Sequence, residues 1–91
     1  MKMSTPNVTG TLKYNCDALI TAFQKGDSKG VKLFTKNIIN EVVKTARTDN
    51  YLIMQVGQYI AYDAAPRLNL SKSMSTQLVD QLDARWNIKK R

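Results

Sequence analysis

The sequence predicts an all-α fold, a small compact bundle of about four helices in a single domain. Three observations lead to it. Apolar residues recur at spacings of three and four along most of the chain, the repeat of a helix with one buried face. Short polar or Gly/Pro breakers separate these runs. No stretch shows the period-two alternation of a half-buried strand. With 91 residues, 43% hydrophobic and 23% charged, the chain has the composition of a folded domain, near the lower size limit for a self-sufficient core. The expected organisation is a flexible N-terminal extension at 1–10, a four-helix domain at 11–88 and a basic tail at 89–91.

Taken in order, Leu12, Cys16, Leu19 and Phe23 form one face of a first helix, and Gly26, just after Lys25, stops it. Asp27 or Ser28 supplies the cap of a second helix, whose core stripe is Val31, Phe34, Ile38, Val42 and Thr45. The polar residues 48–50 break that helix and cap a third. Its stripe is Leu52, Val56, Tyr59, Ile60 and Asp63, with an ion pair to Arg67 or Lys72 expected for the acid. Pro66 should end the third helix at Ala65 or before. Leu68 and Leu70 pin a loop onto the core, and a fourth helix buries Met74, Leu78, Leu82 and Trp86. Gly57, Ala61 and Ala64 make a small-residue strip where another helix can approach closely.

Charge narrows the functional classes. Fourteen Lys+Arg against seven Asp+Glu give +7, which draws a protein toward nucleic acid or an acidic protein surface. On the second helix Lys29, Lys32, Lys36 and Arg47 fall in one narrow arc, with Asn40 inside it and Lys44 at its edge, while Glu41 lies off it. Lys25 extends the line. From Lys29 to Arg47 the rise is about 27 Å, enough to follow several phosphates. Lys89, Lys90 and Arg91 add a basic arm that also suits the C-terminal end of a helix dipole. Leu33, Ile39 and Val43 lie on or beside the arc and point to a homodimer or partner interface. Tyr51, Gln55, Gln58 and Tyr62 gather on the third helix as a second candidate contact surface.

Residues 65–78, APRLNLSKSMSTQL, partly resemble the turn and second helix of a helix-turn-helix. Pro66 stands where the first helix should run, and Ser75 takes the slot of a buried apolar residue. A simple Ser71 or Ser73 helix cap accounts for the stretch, and no family follows from it.

Catalysis is not expected. The chain has no His, and Cys16 on an apolar stripe has no imidazole to activate it. Asp80 and Asp83 lack a third acid for a metal site, and no glycine-rich loop follows a strand, so neither metal nor cofactor is expected. One cysteine cannot make an internal disulfide, the opening residues carry no apolar core of a leader, and no apolar run is long enough to span a membrane. No helix pairs a basic face with a Trp/Phe-rich one, so no membrane-surface role is expected either. The expectation is a cytoplasmic protein that binds nucleic acid mainly through phosphates. The rival is an inhibitor or adaptor, of the kind mobile elements encode, docking on an acidic face.

Overall fold

A computed structural model describes residues 8–46 and 50–89, and these form a four-helix all-α bundle. Helix α1 spans Gly10–Lys25 and α2 spans Ser28–Ala46. Helix α3 covers Asn50–Tyr59, then widens into a π-helical segment, Ile60–Ala64, and closes with one turn, Ala65–Arg67. Helix α4 is Lys72–Lys89. Among the described residues there is no strand, and no helix is long and apolar enough to cross a membrane.

The helix boundaries follow from local chemistry. Gly26 takes the left-handed conformation (φ 71°) that glycine adopts at no steric cost. Its N–H bonds the Phe23 carbonyl while that of Asp27 bonds Ala22, satisfying the last carbonyls of α1. The Asp27 carboxylate then accepts from the Gly30 N–H at 3.0 Å and caps α2. A side chain at Gly30 would meet Asp27 Oδ2 and the Ala22 methyl, so glycine lets α1 and α2 turn tightly on each other. Ser71 accepts from the Met74 N–H at 3.2 Å and starts α4.

Pro66 does not stop α3. In a straight α-helix its ring would collide with the carbonyl four residues back. Here the preceding turn is widened, Ala65 donates to the Ile60 carbonyl five residues back, and the chain stays helical to Arg67. Asn69 then takes φ 62°, with Leu70 donating to Ala65 and Asn69 to Pro66. This repeats the glycine-type helix end with an asparagine in the left-handed position.

The core is one cluster drawn from all four helices, with Cys16, Leu19, Ile20, Ile38, Val42, Val56, Ile60, Leu78, Leu82 and Trp86 essentially excluded from solvent. Truncating any of the larger ones to Ala should cost about 2–5 kcal/mol. The small-residue strip does admit a neighbour: the Val79 methyl lies 3.2 Å from where a Gly57 Cβ would sit. Two stripe positions differ from expectation. Thr45 is exposed near the end of α2, and Met74 is 38% exposed while Ser75 fills the buried slot. Ser75 satisfies its hydroxyl on the Lys72 carbonyl at 2.9 Å, which makes a polar residue tolerable there. Val8, assigned to the extension, is buried in the core.

Polar cross-links fix the helices to one another. Tyr59 donates to Asp17 on α1 at 2.8 Å, and Arg67 donates to Tyr59 and to both Asp17 oxygens. Arg67 also pairs with Asp63, as expected for that acid. Burial above all, then the bond to Asp17, raises the Tyr59 pKa well beyond the ordinary tyrosine range. Trp86 donates its indole N–H to Asn50 at 2.7 Å, closing α4 onto the start of α3.

Candidate functional site

A groove of about 370 Å³ runs between α2 and α4. Lys32 and Lys36 line it from α2, and Arg85 and Lys89 line it from α4. Among the described residues, no carboxylate lines it. Thr35 is buried, and Gln81 Nε2 donates to its Oγ1 at 3.2 Å, so a hydrogen bond between the two walls sets their spacing. Ile39 and Ile88 give the groove an apolar component, and Ile88 is 68% exposed.

The helical repeat explains why these side chains meet. On α2, Lys32, Lys36 and Asn40 are successive i,i+4 neighbours. On α4, Gln81, Arg85 and Lys89 are likewise, and both rows border the same seam. Four cations around a groove with no carboxylate among its described lining residues raise the local positive potential beyond what isolated surface lysines produce, because low-dielectric walls focus the field.

The expected site residues are thus only partly assembled. Lys32, Lys36 and Lys89 come together, joined by Arg85, which the charge pattern of α2 did not reveal. The i,i+4 spacing of Gln81, Arg85 and Lys89 was the available signal. Lys29 is exposed on the same side of α2 but lies outside the groove lining, and Lys25 sits at the end of α1. Lys44 lines a separate depression with Glu41, Tyr14 and Asn37, where an acid accompanies it. Arg47, Lys90 and Arg91 lie outside the described residues.

The expected interface residues separate as well. Leu33 is 52% exposed, but Ile39 is buried and Val43 is half-buried against the core. Helix α2 packs on α1 along one side and on α4 along another, so its buried stripe is wider than a single contact would make it. On α3, Tyr51 and Tyr62 are exposed and Gln58 is half-buried. Gln55 is instead buried and donates to the Tyr51 hydroxyl at 3.1 Å.

Cys16 is fully buried, and burial first, the Asp17 charge second, pushes its thiol up to about 12. Such a thiol stays protonated and unreactive at neutral pH. Asp80 and Asp83 are exposed on α4; desolvation and then the Asp80 charge raise the Asp83 pKa. Among the described residues no group of three His, Cys, Asp or Glu side chains converges as a metal site. Compared with protein-family models, curated proteins and solved structures, the chain matches none significantly.

Proposed function

We propose that this is a non-catalytic nucleic-acid-binding protein whose α2/α4 groove holds the phosphate backbone. The observation that carries this reading is the convergence of Lys32, Lys36, Arg85 and Lys89 on one groove with no carboxylate among its described lining residues. The +7 charge supports it, since a protein so charged is steered to polyanions from a distance. The described lining residues are aliphatic, polar or cationic, with no aromatic ring among them on which bases could stack, which favours backbone contact over single-strand base stacking. Fluorescence anisotropy with duplex and single-stranded DNA and RNA over a salt series tests it. Binding that weakens steeply with salt, and weakens further in a Lys32→Gln/Lys36→Gln variant, is the expected result. No binding at low salt would overturn it.

One observation favours a second reading. Ile39 and Ile88 share the groove with the cations, a combination that suits an acidic amphipathic helix of a partner protein, carboxylates to the rim and apolar residues to Ile88. An inhibitor or adaptor would work this way. A homodimer through the exposed Leu33 is compatible with either reading, and sedimentation of the wild type against Leu33→Lys would reveal it. A lone buried thiol suits the reducing cytoplasm.

A further inference from the structure

From the outer face of α4 we infer a base-reading surface: Ser73, Thr76, Gln77, Asp80 and Asn87, with the Ala84 methyl among them, enter the major groove of duplex DNA. The inference rests on the proposed function and adds sequence recognition to it.

These six residues are all exposed and, at 100° per residue, share one sector of α4 opposite Ser75, Leu78, Leu82 and Trp86. From Ser73 to Asn87 the sector runs about 21 Å along the axis. Its composition is unusual for a solvated helix face, which ordinarily carries long Lys, Arg and Glu side chains in mixed sign. Here all but Gln77 are short, and Asp80 is the one charged residue within the sector, with Asp83 about 20° beyond its edge. Ser, Thr, Asn and Gln can hydrogen-bond base edges, a small methyl can meet that of thymine, and a carboxylate can accept from the cytosine amino group. Ile88, which lines the cationic groove, lies about 20° around the helix from Gln77, so the proposed phosphate-binding residues flank this face on one side.

The backbone presents the face rigidly. The four-residue link 68–71 turns α3 into α4 through the left-handed Asn69, with Leu68 donating to Ala64 and Leu70 to Ala65, both at 2.8 Å. Small buried residues, Ala64 and Ala65 before the link and Ser75 after it, leave room for the two segments to approach. Gln24 on α1 donates to the Leu68 carbonyl at 2.7 Å and anchors the link from a third element. A short turn joining two packed helices, the second exposed along a polar face, is one of the ways a protein presents a helix to the major groove. Both departures in the sequence, Pro66 and Ser75, are accommodated by this geometry: the proline in a widened turn, the serine in the buried slot.

The test is selection of binding sites from a randomised duplex library by the full chain. Anisotropy then follows on the enriched duplex and on a scrambled one of equal composition. We expect an enriched sequence bound at least about tenfold more tightly than the scrambled duplex, as a single good base contact can confer. Gln77→Ala/Asn87→Ala should bring that ratio near one with the salt slope unchanged. Lys32→Gln/Lys36→Gln should weaken both duplexes alike and flatten the slope by about two. Asp80→Ala is the sharpest variant: a base contact predicts relaxed selectivity, whereas a mere bystander charge predicts tighter binding to every sequence. Duplex binding with no enriched sequence, or selectivity that survives the Gln77/Asn87 change in a protein with native circular dichroism, overturns the inference and leaves the groove reading standing. Absence of any nucleic-acid binding overturns both.

Discussion

Tyr59 is where single-residue chemistry is most constrained. Its hydroxyl is buried, donates to Asp17 and accepts from Arg67, so the folded protein holds its proton more tightly than the unfolded chain does. A raised folded-state pKa contributes stability that is present below the unfolded value of about 10 and is lost as pH rises above it. Between pH 9 and 11, urea unfolding of the wild type should therefore lose roughly 1 kcal/mol more than that of Tyr59→Phe. Equal losses would show that the hydroxyl network contributes nothing specific. The Trp86–Asn50 bond gives a second residue-scale expectation. Asn50→Ala leaves a buried indole N–H without this acceptor, which should cost about 1–3 kcal/mol. In a Trp86→Phe background the same change should cost much less, and an undiminished cost would place the role of Asn50 elsewhere.

At the scale of elements, the turn at Asn69 separates backbone from side-chain effects. With φ at 62°, Asn69→Gly should be neutral or slightly stabilising, while Asn69→Ala should cost about 1 kcal/mol, since most L-residues resist that conformation. The thermal midpoint of each variant measures this. At the crossing of α3 and α4, Gly57→Leu should lose about 1–3 kcal/mol by overpacking against Val79, and Val79→Ala in the same chain should recover part of it. A gain in stability from Gly57→Leu alone would mean the helices can separate freely.

Much at this scale was legible beforehand, because caps, stripes and stops are local. Leu12, Cys16 and Leu19 sit four and three apart and are buried as the spacing requires. Gly26 ends its helix, Asp27 and Ser71 start theirs, and Gly57 admits a neighbour. Pro66 misled because a steric rule about straight helices says nothing of a widened turn. Ile39, Val43 and Gln55 misled because a wheel drawn for one helix does not show how many neighbours pack on it.

For the whole molecule, the groove could not be read from the sequence in the same way. Thr35 and Gln81, which join its walls, are 46 residues apart, and only the packing of α2 against α4 brings Lys32 and Lys36 opposite Arg85 and Lys89. The second helix displayed half of these cations as a run of lysines; of the other half, Lys89 falls in what reads as a basic tail, and Arg85 lies on α4 before it. Cations gathered by tertiary packing should act together on a polyanion, and cations scattered over a surface should not. The direct test is a salt titration of duplex binding by the wild type, by Lys32→Gln/Lys36→Gln and by Arg85→Gln/Lys89→Gln, with Lys25→Gln/Lys29→Gln as the control outside the groove. Log affinity should fall linearly with log salt at about −0.9 per phosphate contact, and each groove pair should flatten that slope by about two. The control pair should change it little. Equal effects of all three pairs, or a slope untouched by the groove pairs, would contradict the groove as the site of binding.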